Sequence, residues 1–186
     1  MQSQLRQNNN YTYADYEKLG DGKRYELIDG VIYLMSPAPA PKHQKISGEL
    51  FGQLWQFLRG KPCEVYHAPI DVCLNAGGDN DKTVVQPDII VICDNSKLDG
   101  KRCNGVPDMI IEILSPSTAN CDIFVKFNKY LQAGVREYWI VNPENKLVRV
   151  CILNDGKYDI TDYFDTNTIP VHVLNGCHID MKSIFS

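Results

Sequence analysis

Hydrophobic residues recur with two different periods along the chain, and these periods separate predicted helices from predicted strands. From Lys42 onward an apolar side chain returns every three or four positions, at Ile46, Leu50, Leu54, Phe57 and Leu58. This spacing places the apolar side chains on one face of an amphipathic helix, which we expect to end near residues 59–62. A second stripe within residues 121–133 predicts another helix, and Gly134 is a suitable terminator for it.

Runs of β-branched and other apolar residues predict strands around these two helices. The predicted strands cover residues 63–74, 84–93 and 108–115 before the second helix, and 136–142 and 146–153 after it. The third run is almost continuously apolar, which is typical of a central strand that is covered on both faces. Near the N-terminus, Asp29-Gly30 between two apolar runs predicts a β-hairpin, preceded by one or two helical turns over 13–19.

The order of these elements predicts an α/β fold, a mixed sheet with helices packed on its faces. Its core order is helix, three strands, helix, strand, with the N-terminal hairpin and further C-terminal strands added to it. Residues 157–186 are expected to supply an edge strand and a short end. The length of 186 residues suits one domain. We therefore expect a single domain over 12–186, after a disordered, polar lead-in at 1–11.

Charge and cysteine content exclude several classes of function. The formal net charge is −4, so any contact with nucleic acid has to come from a local basic patch. The seven cysteines are scattered and include no CxxC pair, which argues against structural zinc and favours free thiols in a reducing cytoplasm. Without a visible Cys–His arrangement, a thiol enzyme is disfavoured. No signal peptide or membrane-spanning run is recognisable, so we expect no membrane contact.

Two carboxylates interrupt the apolar strands. Asp88 begins the apolar part of one predicted strand and Glu112 lies between Ile111 and Ile113 in the next. An ionised carboxylate inside apolar surroundings has to be paired, protonated or bound to a metal. If the strands are neighbours, the two side chains meet at one end of the sheet, where they suit a hard divalent cation. The alternatives are a turn or cap role for Asp88 and a salt-bridged or solvated Glu112.

A lysine borders the apolar stripe of the second helix. Lys126 could reach over the end of the sheet towards a phosphate or a water, and Lys129 lies on the same flank. The alternative is a surface ion pair with Asp122 one turn earlier, and the spacing alone favours neither. Ser115 and Ser117, before this helix, are interpreted as turn and helix-cap residues.

Several segments carry a resemblance to a known family. They are YELIDGVIYLMSP, HQKISGEL, QPDIIVI, PDMIIEILSPST, DIFVKFNKYLQAGVREYWIVNP and GCHIDMKSIF. Together they cover about residues 12–186 and look like the Uma2 family of bacterial restriction endonucleases, formerly a domain of unknown function. More broadly, Asp88 followed by Glu112-Ile113-Leu114 is similar to the signature of the PD-(D/E)XK nuclease superfamily. The predicted order of elements also resembles the core of that superfamily.

The resemblance implies roles for individual residues. Asp88 and Glu112 match metal ligands, and the Ile113 carbonyl is a further candidate ligand. The lysine that usually completes the signature is replaced by Leu114, and Lys126 matches a lysine displaced to the following helix.

Three other residues match the family less decisively. Glu26 matches an acidic position that would complete the site; the alternative is a hairpin residue paired with Lys23 or Arg24. His43 matches a family histidine, although its place on the apolar stripe favours a packed or hydrogen-bonded side chain. Glu49 lies on the flank of the same helix and is interpreted as solvated.

The resemblance implies metal-dependent hydrolysis of phosphodiester bonds, with DNA as the expected substrate and Mg²⁺ or Mn²⁺ as the cofactor. Asp88 and Glu112 would hold the metal, while Lys126 and Glu26 would complete the catalytic set. A homodimer is compatible with this activity, because nucleases that cut both strands often work as two-fold dimers. The alternative is a nuclease-like fold that no longer cuts and binds nucleic acid or protein instead. Leu114 and the acidic net charge favour that alternative.

Overall fold

The computed structural model describes residues 10–35, 39–115, 122–164 and 168–186, without the side chains of residues 122 and 123. Most of the predicted lead-in, residues 1–9, lies outside the described residues. Within these described ranges the helices are α1 (Tyr13–Tyr16), α2 (Pro41–Leu58), α3 (Asp122–Ala133) and α4 (Met181–Ile184). Short 3₁₀ turns occur at Glu17–Leu19, Gly78–Asn80 and Asn95–Lys97.

Thirteen strands are present in the described part of the chain. The first seven are β1 (Tyr25–Ile28), β2 (Val31–Leu34), β3 (Glu64–His67), β4 (Val72–Cys73), β5 (Val84–Val85), β6 (Ile89–Ile92) and β7 (Cys103–Asn104). The others are β8 (Met109–Ile113), β9 (Glu137–Asn142), β10 (Leu147–Asn154), β11 (Lys157–Tyr163), β12 (Thr168–Pro170) and β13 (His178–Asp180).

These strands form a mixed six-stranded sheet in the order β11-β10-β9-β8-β6-β3 and a five-stranded sheet in the order β2-β1-β5-β4-β7. Strands β12 and β13 form a separate pair. Within the six-stranded sheet, β8 runs parallel to β9 and antiparallel to β6. Following the chain through this sheet gives α2, β3, β6, β8, α3 and β9, which confirms the predicted order of helix, three strands, helix, strand.

The six-stranded sheet is covered on both faces, as the apolar run in β8 predicts. Ile111 belongs to a core cluster with Leu50 and Leu54 of α2, whereas the adjacent Ile110 belongs to a cluster with Tyr130 of α3. Successive residues of a strand point to opposite faces, so a nearly continuous apolar run is needed where helices cover both. A third cluster lies beneath the N-terminal hairpin, where Leu27 is fully buried.

The N-terminal hairpin agrees with its sequence pattern. Strands β1 and β2 pair antiparallel, with Ile28 opposite Val31. The two turn residues, Asp29 and Gly30, have φ of 51° and 76°. Left-handed φ at both positions is what a two-residue type I′ turn requires, and Asp-Gly meets that requirement at little cost.

The prediction of a continuous strand is wrong for two of the runs. The run over 63–74 divides into β3 and β4, and the run over 84–93 divides into β5 and β6. In each case the first and second pieces belong to different sheets. Pro69 and Pro87 lie at the two divisions, and proline has no N–H to donate to a strand ladder. The chain therefore crosses between the sheets at these points.

The expectation of free thiols is wrong for one pair of cysteines. Cys63 and Cys93 form a disulfide that joins the beginning of β3 to the end of β6. Because these strands are antiparallel neighbours, with Glu64 opposite Ile92, the two cysteines follow in the same register. Cys73, Cys103, Cys151 and Cys177 are free and buried, whereas Cys121 lies outside the described residues.

Candidate active site

Asp88 and Glu112 meet at one end of the six-stranded sheet. Strands β6 and β8 pair with Ile89 opposite Ile111, so the next step of the register places Asp88 opposite Glu112. The Ile113 N–H donates to Asp88 Oδ2 over 2.8 Å. Both acids are mostly buried, with 21% of the Asp88 side chain and 14% of the Glu112 side chain exposed. A turn role for Asp88 alone does not account for this contact across the sheet.

Lys126 links Glu112 to a second glutamate. Its Nζ lies 3.0 Å from Glu112 Oε1 and 2.7 Å from Glu26 Oε1. The lysine comes from the second turn of α3, and its side chain is 10% exposed. Tyr130, one turn further along α3, donates its hydroxyl to the same Glu112 oxygen over 2.7 Å. The side chain of Asp122, the partner in the alternative surface pair, lies outside the described residues.

Glu26 reaches this cluster from the other sheet. It lies on β1 and is completely buried, and its Oε1 also accepts the backbone N–H of Gln86 over 3.0 Å. The two residues of the alternative pairing have contacts of their own: Lys23 lies beside Asp21, and Arg24 donates to the side-chain oxygen of Gln86. The N-terminal hairpin is thus joined to α3 by a buried ion pair.

His43 contacts Asp88, as Lys126 contacts Glu112. It lies in the first turn of α2, and its Nε2 is 3.2 Å from Asp88 Oδ2. Burial lowers the pKa of His43, but the hydrogen bond and the negative charge of Asp88 raise it more strongly, so the net shift is upward. The sequence expectation of a hydrogen-bonded histidine fits this geometry.

Each of the two carboxylates is therefore held by one oxygen. Asp88 Oδ2 receives His43 and the Ile113 N–H, whereas Glu112 Oε1 receives Lys126 and Tyr130. Within the described residues, no hydrogen bond or ion pair reaches Asp88 Oδ1 or Glu112 Oε2. The arrangement fixes the orientation of both acids and leaves one oxygen of each for another ligand.

The electrostatic environment of Glu112 is strongly perturbed. Burial, together with the charges of Asp88 and Glu26, raises its pKa to about 7, although Lys126 acts in the opposite direction. Burial disfavours the charged form of Lys126, but its two glutamate partners outweigh this and raise its pKa above the ordinary lysine value. Lys126 contacts two glutamates and can balance the charge of only one, so an added cation would balance the remaining negative charge.

The donor set suits a hard cation that keeps part of its water shell. Among the described residues, no three His, Cys, Asp or Glu side chains are arranged as a ready metal cage. Mg²⁺ commonly needs only one or two carboxylates and completes its coordination with water and substrate oxygens. The open oxygens of Asp88 and Glu112 fit that requirement, whereas a site built from cysteine and histidine ligands has no counterpart in this cluster.

The remaining sequence candidates take different positions. Leu114 packs on the face of the sheet that α3 covers, so Lys126 approaches the site from the helix above the position where the signature places its lysine. Glu49 is partly exposed on α2 and has no hydrogen bond or ion pair with another described residue. Lys129 pairs with Asp29 at 2.8 Å. The cap interpretation of Ser117 lies outside the described residues.

Tyr130 is the site residue that sequence reasoning missed. It lies on the apolar stripe of α3 and is fully buried, so its pattern is that of a core residue. The spacing of Lys126 and Tyr130, four residues apart, is the available signal, because it puts both on one side of a helix.

The free cysteines of the described part of the chain do not resemble catalytic thiols. Burial is the main cause that raises the pKa of Cys73 to about 12 and that of Cys103 to about 11. A nucleophilic cysteine needs the opposite shift, since the thiolate is the reactive form. Nor is any helix of the described chain both long and apolar enough to cross a bilayer.

Comparison with known proteins agrees with the geometry. The Uma2 family, described as "putative restriction endonuclease", matches residues 12–182. An uncharacterised protein of Synechocystis, slr1290, is 27% identical over 143 residues, which cover 76% of this chain and 73% of that protein. The crystal structure of a "putative nuclease belonging to DUF820" from Anabaena variabilis superimposes with a TM-score of 0.73 at 21% identity. That match covers 94% of this chain and 97% of the other.

The structural match shows a shared fold, and the family match extends over nearly the whole chain, including every residue of the acidic cluster. The chain belongs to the Uma2 family of restriction-endonuclease-like proteins.

Proposed function

We propose that this protein is a metal-dependent endonuclease that hydrolyses phosphodiester bonds of DNA. The family supports a nuclease activity. The observation that carries the proposal is the pair of anchored carboxylates, Asp88 and Glu112, each with one oxygen held by two donors. Such pre-set oxygens at the end of a sheet suit a hard cation and a phosphate.

Asp88 and Glu112 would hold Mg²⁺ or Mn²⁺, with the Ile113 carbonyl as a further ligand. When bound, the cation supplies Lewis-acid chemistry that polarises the scissile phosphate and lowers the pKa of an attacking water. The excess negative charge of the cluster favours cation binding at this place.

Lys126 would act on the reacting groups. Its Nζ lies 3.0 Å from Glu112, so the ammonium is next to a proposed metal ligand, where it would orient a water or stabilise charge on a phosphate oxygen. Glu26 completes the catalytic set by holding the other side of the ammonium at 2.7 Å. In this proposal Lys126 takes the role of the lysine that the superfamily signature has at the position of Leu114.

The start of α2 supplies local positive charge despite the net charge of −4. Lys42 and Lys45 are exposed in the first turns of α2; Lys42 lies 3.1 Å from Glu144 and Lys45 donates to the Ser186 carbonyl over 2.6 Å. We include DNA contact by this surface in the proposal, because lysines bind phosphates without sequence preference. A single domain over 12–186 and a homodimer that cuts both strands complete the proposal. The proposed cytoplasmic location rests on the four free cysteines, whereas the Cys63–Cys93 disulfide argues against it.

Plasmid cleavage in Mg²⁺ tests the activity. We expect the wild-type protein to nick or linearise DNA, and Glu112→Gln to lower the rate by about 10²–10³-fold, the scale of losing one transition-state electrostatic contact. Glu49→Gln is the matched control, since Glu49 has no described partner. Cleavage by Glu112→Gln at the wild-type rate would remove Glu112 from the mechanism.

A second candidate function is a nuclease-like module that binds nucleic acid or protein without cutting. Two observations favour it: Leu114 occupies the lysine position, and Lys126 is already paired with both Glu26 and Glu112. Titration with Mn²⁺ separates the two functions. Saturable binding that Asp88→Asn abolishes supports the endonuclease, whereas no binding to the wild-type protein supports the module.

A further inference from the structure

The side chains of Tyr130 and His43 each contact one carboxylate of the acidic pair, Glu112 and Asp88. Tyr130 donates to Glu112 Oε1 over 2.7 Å, and the Nε2 of His43 lies 3.2 Å from Asp88 Oδ2. Each of these oxygens also has a second donor: Lys126 for Glu112 Oε1 and the Ile113 N–H for Asp88 Oδ2. The oxygen without a described partner is left for a ligand.

Tyr130 is rigidly placed. It is fully buried in the cluster between α3 and the sheet, and its ring meets the edge of Tyr138 with centroids 5.0 Å apart. A tyrosine fixed in this way cannot follow Glu112 if the carboxylate rotates. The hydrogen bond therefore restricts Glu112 to the orientation in which Oε2 is open.

His43 constrains Asp88 from the opposite helix. Its side chain is 12% exposed and is carried by the first turn of α2, while the Ile113 N–H fixes the same oxygen from β8. Two donors on separate elements define the plane of the Asp88 carboxylate. Asp88 is thus held by one donor from β8 and one from α2. Both donors to Glu112, Lys126 and Tyr130, come from α3.

We propose that Tyr130 and His43 are positioning residues that set the affinity of the acidic pair for a divalent cation. The inference rests on the proposed function and deepens it. Groups that hydrogen-bond to metal ligands orient them, and their loss typically weakens metal binding by about 10–100-fold. Without the Tyr130 hydroxyl or the His43 donor, a carboxylate has to be ordered at the moment of binding, and this ordering reduces affinity.

Calorimetric titration with Mn²⁺, in the absence of DNA, measures this affinity directly. We expect Tyr130→Phe to raise the dissociation constant by about 10–100-fold, with little change in the melting temperature. Tyr138→Phe is the matched control. Tyr138 is buried in the same cluster, and its hydroxyl has no partner among the described residues. An equal loss in both variants would overturn the proposal, because it would show a general effect on packing.

His43 is tested by a pair of substitutions. His43→Leu removes the donor and should weaken Mn²⁺ binding to a similar extent, whereas the amide of His43→Gln can reach Asp88 and should restore most of the affinity. Restoration by glutamine supports positioning, since a purely steric role would not distinguish the two. Wild-type affinity in His43→Leu would contradict it.

The same titrations distinguish failure of the inference from failure of the proposed function. A wild-type protein that does not bind Mn²⁺ would overturn both. A wild-type protein that binds Mn²⁺, loses it in Asp88→Asn and keeps it unchanged in Tyr130→Phe and His43→Leu would overturn only the positioning roles.

Discussion

Two mostly buried glutamates in neighbouring strands receive their hydrogen bonds in different arrangements. Glu112 lies in β8 between Ile111 and Ile113, whereas Glu137 is the first residue of β9 and precedes its apolar run. Glu137 is completely buried; Trp139 Nε1 donates to one of its oxygens over 2.7 Å and the Val173 N–H to the other over 2.8 Å. Glu112 instead receives two donors on one oxygen.

The difference separates a structural acid from a candidate catalytic one. Both oxygens of Glu137 are occupied by neutral donors, so this acid ties β9 to the segment before β13 and has no remaining capacity for a ligand. Glu112 has an ion pair and an oxygen without a described partner. Burial alone therefore does not distinguish the two acids, whereas the distribution of their hydrogen bonds does.

The largest effect is expected from removing the structural acid. Glu137→Met leaves the Trp139 and Val173 donors without acceptors, and each stranded buried donor costs about 1–3 kcal/mol, or about 2–6 kcal/mol in total. Urea denaturation should show this loss, while Mn²⁺ affinity stays at the wild-type value. A variant that unfolds normally but no longer binds Mn²⁺ would contradict the division between the two acids.

Removing the lysine of the site should cost almost as much stability. Lys126→Met leaves Glu26 and Glu112 without the charge that balances them, and breaking a buried ion pair on one side typically costs about 3–5 kcal/mol. Urea denaturation of Lys126→Met measures the loss.

Two further variants test whether the loss of stability in Lys126→Met comes from the buried ion pair. Lys129→Met is the control, because Lys129 pairs with Asp29, whose side chain is 64% exposed, and such surface pairs contribute about 0–1 kcal/mol. The double variant Glu26→Gln/Lys126→Met should recover part of the stability. Equal losses in the two lysine variants would contradict a buried ion pair at Lys126.

The smallest expected effect is a change in how stability depends on pH. Burial raises the pKa of Glu137 above its ordinary value of 4.5, although its hydrogen bonds act in the opposite direction. A raised pKa in the folded state means that the stabilising contribution is present below the ordinary value and is lost as the pH rises through the shifted one. The stability difference between wild type and Glu137→Met should therefore shrink with rising pH.

Urea denaturation of both proteins across the acidic to neutral range measures this trend. Because Glu112 titrates in both proteins, the difference between them isolates Glu137. A difference that grows with pH would mean that the pKa of Glu137 is lowered in the folded protein.

The elements that could be predicted were those with strong local patterns. The stripe of α2, the Asp29-Gly30 turn and the apolar run of β8 depend on residues close together in sequence. The two divided strands could not be predicted as such, since Pro69 and Pro87 show where a ladder ends but not that the chain then joins another sheet. The Cys63–Cys93 disulfide likewise depends on the register of β3 and β6.

The candidate site followed the same rule. The sequence by itself identified Asp88, Glu112 and Lys126 as unusual, because charged residues within or beside apolar patterns need partners. Only the tertiary structure decided who those partners are. Glu26 meets Lys126 from another sheet, His43 meets Asp88 from α2, and Tyr130 proves to be a donor although its pattern is that of a core residue. A periodic pattern reports which face of an element is buried, whereas the hydrogen bonds of a buried acid depend on how distant elements pack.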